Sequence, residues 1–144
     1  MQNVLILDFG SQYTQLIARR VREMNVYCEI WPCTDSYEKI YNFAPRAIIL
    51  SGGPASVLQR GSPVLDPRVY KMGIPLLGIC YGMQLMSRDL GGRVMRAKIR
   101  EYGHAVLQIK KNHHLLDGVD SSSSVWMSHG DSIESLPPGF ELLA

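Results

Sequence analysis

Cysteine, histidine and net charge are all scarce in this 144-residue chain: three Cys, four His and a formal balance of +2. The cysteines are odd in number and widely spaced at Cys28, Cys33 and Cys80, which is not a disulfide framework. A reducing cytoplasm therefore suits the chain and keeps Cys80 a free thiol. Cys28 and Cys33 are too few for a zinc site and read as structural. Histidines paired with carboxylates at metal-ligand spacing are absent, which argues against a metal centre. The charge is too slight to point to nucleic acid or an anionic membrane surface. No apolar run approaches the roughly 20 residues that span a bilayer. Asp8 interrupts the N-terminal apolar run and no basic segment precedes it, so a signal peptide is not expected. There is no G-x-x-x-x-G-K-S/T phosphate loop, no internal repeat and no domain boundary.

What remains is a chain of 46% hydrophobic and 19% charged residues, enough for one globular domain with a sizeable core. Asn3 to Asp8 is a continuous apolar run of the kind found in strands covered on both faces. Phe9 to Gln12 forms a turn with Ser11 as N-cap, and Leu16, Ile17, Val21 and Met24 recur at helical spacing up to Asn25. Val26 to Trp31 is a second strand, ended by Pro32. A short helix over Asp35 to Tyr41 follows, capped by Thr34 or Asp35, and Arg46 to Ser51 is a third buried strand. Ala55 to Pro67 is a loop, and Val69 to Met72 adds a helical turn. This βαβαβ rhythm predicts an α/β fold: an open, mostly parallel sheet with helices on both faces, in which ligands bind beyond the carboxyl ends of the strands. Val94 to Ile99, His104 to Ile109 and Val125 to Met127 are strand-like and suggest a small antiparallel or mixed extension, with Ser121 to Ser124 as a surface turn.

One stretch organises the rest. Ile74 to Gln84 (IPLLGICYGMQ) reads as a buried strand, a sharp turn with Cys80 at its apex, and a helix closing at Gly91-Gly92. Gly78 and Gly82 flank the cysteine symmetrically, the thiol counterpart of the G-x-S-x-G nucleophile elbow. Side chains at those two positions would collide with their neighbours, and glycine also tolerates unusual dihedrals. The N-terminal end of the helix points its N–H groups at the sulfur and favours thiolate. A lone free cysteine is usually a small buried hydrophobe; the paired glycines and the strand-turn-helix setting turn the reading toward a nucleophile. Ser51-Gly52-Gly53-Pro54 lies at another strand end. Alone it is an ordinary turn, but beside a nucleophile its bare backbone can hold an oxyanion. Of the histidines, His113 and His114 sit in a polar surface turn and His104 has no partner motif. His129, after a strand and before Gly130, could line a pocket. None carries the signature of a catalytic base.

These stretches bring a family resemblance. Gly78 to Gln84 resembles the nucleophile motif of class I, triad-type glutamine amidotransferases. Leu7 to Glu23, Ser51 to Pro54, Arg100-Glu101-Tyr102-Gly103 and Val125 to Asp131 (VWMSHGD) look like the GMP synthase branch of that family, in the same order from Met1 to the last residue. The resemblance implies an amidotransferase domain over residues 1–144 with the family's α/β fold. It implies that Cys80 attacks the side-chain amide carbon of glutamine, releases ammonia and leaves a thioester that water hydrolyses. By the same resemblance the N–H groups of Gly53 and Tyr81 hold the oxyanion. Gln84 and the segment Ser128, His129, Gly130 and Asp131 bind the amino-acid end of glutamine, Ser128 through a hydroxyl and Asp131 through a carboxylate for the ammonium. Gln84 could equally sit on an outer helix face, and Asp131 could be a helix or turn cap. The implied partner is an ATP-pyrophosphatase synthetase, as a domain or a separate chain, that makes GMP from XMP; ATP and magnesium belong there, and this domain needs no cofactor.

The sequence departs from the family in one respect. The triad histidine and glutamate come from a His-Pro-Glu motif downstream of the Ser-His-Gly-Asp segment, and this sequence contains none. His129 belongs to the pocket motif and is not promoted to general base. The expectation is a C-terminally incomplete domain from a longer enzyme, or, taken as a whole protein, a poor or inactive glutaminase. The amidotransferase part of another synthetase and an inactive glutamine-binding or docking domain stay open as alternatives.

Overall fold

The computed structural model describes residues 3–144, apart from the side chains of residues 98–102 and 128–129. Four strands form a parallel sheet: β1 (Asn3–Asp8), β2 (Tyr27–Pro32), β3 (Ala47–Leu50) and β4 (Leu76–Gly78), in the order β2-β1-β3-β4. The crossovers carry α1 (Thr14–Glu23), α2 (Tyr37–Phe43) and a loop with a 3-10 turn at Val69–Lys71; α3 (Tyr81–Asp89) leaves the sheet after β4.

Alternation along β1 decides how the helices are distributed. Leu5 and Leu7 point to one face, where they join Ile40 of α2 and Leu85 of α3 in the larger core. Ile6 points to the other face and meets Ala18 and Val21 of α1 with Cys28 of β2. Leu5, Ile6 and Leu7, three of the six residues of β1, are fully buried. This is why the strand reads as an unbroken apolar run rather than an alternating one, and helices cover both faces as expected.

The C-terminal part follows a different plan. β5 (Arg93–Gln108) and β6 (Ser122–Ser135) pair antiparallel as a long two-stranded ribbon, a second sheet with irregularities in its register between Arg93/Val94 and Arg96/Glu101. The two segments expected at Val94 to Ile99 and His104 to Ile109 are thus one strand. Ser122 to Ser124, expected in a turn, already pair with β5 through Val106, Leu107 and Gln108. Serine has little strand preference, so cross-strand pairing overrides the local signal here.

Two helix caps also differ from expectation. Ser36, not Thr34 or Asp35, caps α2 by accepting the Lys39 N–H at 3.2 Å. Asp35 instead takes an ion pair from Lys39 at 2.7 Å. Ser11 does not cap α1; its Oγ accepts the Tyr13 N–H at 3.0 Å in the turn before the helix.

Candidate active site

The carboxyl ends of β1, β3 and β4 meet at one place, and the turn after β4 is the tightest feature there. Cys80 has φ 49° and ψ −110°, a conformation that costs a non-glycine residue on the order of 1–3 kcal/mol. Its backbone is held from both sides. The Ile79 N–H donates to the Leu50 carbonyl at 2.9 Å, the Gly82 N–H donates to the Ser51 carbonyl at 3.1 Å, and the Cys80 carbonyl accepts the Gln84 N–H at 3.0 Å to start α3. The thiol is exposed at the helix head.

The flanking glycines provide clearance, not unusual dihedrals. Neither Gly78 nor Gly82 has a positive φ; the cysteine itself carries the rare conformation. A Cβ on Gly82 would lie 2.4 Å from the Leu50 carbonyl oxygen, and one on Gly78 would lie 2.6 Å from the Met83 Cα. The helix head can therefore sit directly on the ends of β3 and β4.

Beside the elbow runs the loop after β3. A Cβ on Gly52 would approach the Cys80 Cβ to 3.5 Å, and one on Gly53 would lie 2.4 Å from the Phe9 carbonyl oxygen. Gly53 is thus pressed against the β1 turn, and Gly52 against the cysteine. Among the described residues, neither the Gly53 nor the Tyr81 N–H donates to a protein acceptor, so both donors are open for an oxyanion. Tyr81 is anchored by its ring, 5.4 Å from that of Phe9 between centroids, and by its hydroxyl, which donates to the Pro63 carbonyl. Burial pushes its phenol pKa up.

A cleft of about 770 Å³ opens over the thiol. Gly53, Cys80, Tyr81, Gln84, Gly130 and Asp131 all line it, although they span 78 positions from 53 to 131. The outer-face reading of Gln84 does not hold: the side chain is buried, and its Nε2 donates to the Asp131 carbonyl at 3.0 Å. Nor is Asp131 a helix or turn cap. It lies within β6, buried to 6% exposure, with its carboxylate accepting the Ser56 hydroxyl at 2.5 Å. The side chains of Ser128 and His129 lie outside the described residues, as do those of Arg100, Glu101 and Tyr102 in the Arg-Glu-Tyr-Gly motif. His113 and His114 are exposed, and exposed His104 stacks edge-on against Trp126 at 4.9 Å. Among the described residues, no imidazole or carboxylate hydrogen-bonds the Cys80 thiol.

Three contributors escaped the sequence reading. Ser56, in the long loop, orients the Asp131 carboxylate. Arg96, opposite Asp131 across the ribbon, adds a cation to the cleft lining. Ser51, fully buried, ties the glycine loop to the β1 turn. A local signal existed only for Ser51, as the polar residue between an apolar strand and a Gly-Gly pair.

The family model described as glutamine amidotransferase class-I matches residues 5–144. The chain belongs to the class I glutamine amidotransferase family. Among its relatives, the glutamine-hydrolyzing GMP synthase of Natranaerobius thermophilus is 57% identical over 97% of this chain and 28% of its own length. That of Syntrophomonas wolfei is 54% identical over 99% of this chain and again 28% of its own length. The chain thus spans little more than a quarter of these curated relatives. Two solved structures share the fold. A GMP synthase subunit from Thermoplasma acidophilum has a TM-score of 0.79 at 24% identity, covering 99% of this chain and 72% of that one. A glutamine amidotransferase of Thermotoga maritima has a TM-score of 0.71 at 21% identity, covering 95% and 64%. This amidotransferase chain has the elbow, glycine loop and cleft in one place, and among its described residues no helix is long and apolar enough to cross a membrane.

Proposed function

We propose that this chain is the glutamine-hydrolysing part of a GMP synthase, supplying ammonia to a synthetase that converts XMP to GMP. The observation that carries the reading is the exposed Cys80 on a strained turn, set in a cleft beside the N–H groups of Gly53 and Tyr81, which meet no acceptor among the described residues. The sulfur attacks the side-chain amide carbon of glutamine, and the two N–H groups receive the negative charge that develops on its oxygen. The C–N bond breaks as the proton given up by the thiol passes to the nitrogen, ammonia leaves, and water hydrolyses the thioester to glutamate and the free thiol. In the lining of the same cleft the Asp131 carboxylate suits the ammonium of the substrate, with Gln84 holding the strand that carries it. Ser128, His129 and Gly130 belong to the same segment and complete the proposed clamp. We place ATP and magnesium with the synthetase, and the whole assembly in a reducing compartment such as the cytoplasm, where Cys80 stays a thiol.

A second reading, a domain that binds glutamine but turns it over poorly, is favoured by one observation: no base faces Cys80 among the described residues. Loss of assisted proton transfer costs typically 10²–10⁴-fold. A glutamine-derived diazo-ketone discriminates the possibilities. The proposal expects one label per chain, on Cys80, slowed by free glutamine and abolished in Cys80→Ser. Labelling that ignores glutamine, or that persists in Cys80→Ser, removes the assignment. Rapid ammonia release from glutamine by the isolated chain decides against the second reading, and stoichiometric labelling without release decides for it.

A further inference from the structure

The peptide between Gly52 and Gly53 carries no side chain on either residue, so nothing in those two residues fixes the direction of its plane. One neighbouring side chain does. Ser51 Oγ lies 2.9 Å from the Gly52 carbonyl oxygen and donates to it, while accepting the Phe9 N–H at 3.0 Å. The hydroxyl has a single proton. Asp8 Oδ1 is farther away at 3.4 Å and already takes the Gly10 N–H at 2.9 Å and the Thr14 hydroxyl at 2.8 Å, so the nearer carbonyl receives the Ser51 proton.

We propose that Ser51 is a positioning residue, whose buried hydroxyl locks the 52–53 peptide in the orientation that holds the Gly53 N–H ready for the oxyanion. In a trans peptide the C=O and the following N–H point to opposite sides. Drawing the Gly52 oxygen toward the fully buried Ser51 turns the Gly53 N–H away from it, to the half-buried side of the loop that lines the cleft. A half-turn of the same peptide would present carbonyl lone pairs in place of a donor and repel the developing charge. The two glycines lower the steric barrier to that turn; the hydroxyl opposes it. Ser51 also refers the peptide to the nucleophile, because its own carbonyl accepts the Gly82 N–H at 3.1 Å and its N–H donates to the Leu7 carbonyl at 3.0 Å. Donor and sulfur are thereby indexed to one buried residue.

The inference rests on the reading of Cys80 as a glutamine-attacking nucleophile, and its test separates the two. Two reagents are compared on the same chain: a glutamine-derived diazo-ketone, whose carbonyl oxygen must enter the oxyanion site, and methyl methanethiosulfonate, which modifies the thiol without a carbonyl. In Ser51→Ala the maximal rate of ketone labelling falls by about tenfold or more, up to the roughly 10²–10³-fold cost of losing an oxyanion donor outright. The half-saturating ketone concentration and the thiosulfonate rate stay within about twofold, since binding and thiol access are untouched. Ser51→Cys, similar in size but a feeble donor, shows the same split and serves where the alanine variant fails to fold. An unchanged ketone rate in either folded variant overturns the proposal. Equal losses with both reagents overturn it too, because they indicate general disorder of the elbow. If the parent chain shows no glutamine-protectable ketone labelling, the functional reading itself fails, and with it the inference.

Discussion

The two walls of the cleft are built on unlike foundations. The elbow and the glycine loop stand on the parallel sheet, whose β1 residues Leu5, Ile6 and Leu7 have no exposure at all. Asp131 and Arg96 stand on the two-stranded ribbon. Its near end is docked through Val94 and Ile133 to the larger core, while farther along it Val106 is 66% and Trp126 71% exposed. Two strands cannot cover both of their own faces, so such a ribbon depends on what it packs against. The elbow wall is backed directly by a buried core. Among the described residues, the ribbon wall is tied to the rest of the cleft through the Gln84 and Ser56 hydrogen bonds to Asp131.

This contrast can be broken or sharpened by substitution. The largest effect is expected at Leu85, fully buried in α3 directly behind the elbow. Leu85→Ala should lower unfolding free energy by about 2–5 kcal/mol, read from the urea midpoint, and should slow covalent labelling of Cys80 as the helix head loosens. Next comes Gly82→Ala, whose new methyl meets the Leu50 carbonyl at 2.4 Å. A cost of about 1–3 kcal/mol is expected, with loss of labelling larger than the stability change alone explains. Smallest is Trp126→Ser on the exposed face of the ribbon, within about 0.5 kcal/mol by the same unfolding measurement. A cost near that of Leu85→Ala at Trp126 would show that the ribbon is as strongly integrated as the sheet, and the contrast would fall.

Much of the sheet wall was legible in advance. Apolar runs marked β1 and β3, helical spacing marked α1, and the paired glycines marked the elbow, because each of these signals is local. The ribbon was less so. Ser122 to Ser124 offered no strand signal, and only cross-strand pairing with Val106 to Gln108 makes them one. The caps went astray by one or two residues where several polar candidates, Thr34, Asp35 and Ser36, stood side by side. Gln84 is the instructive intermediate. Its position on a helix was readable, but whether it faces outward depends on how α3 is rotated against β6, which periodicity among few apolar residues does not fix.

The order of strands and helices through the parallel sheet, the strand-turn-helix elbow around Cys80 and the need for clearance there were legible from sequence alone, since these follow from residue size and backbone freedom within a dozen positions. Tertiary structure alone decided that Ser56 orients Asp131 across 75 positions, that Gln84 holds the same residue across 47, and that Ser51 reaches Phe9 across 42. Those bonds are set by sheet register and by the seating of α3 against the ribbon. Both are outcomes of packing the whole chain, because a hydrogen bond works only over about 3 Å and in one direction.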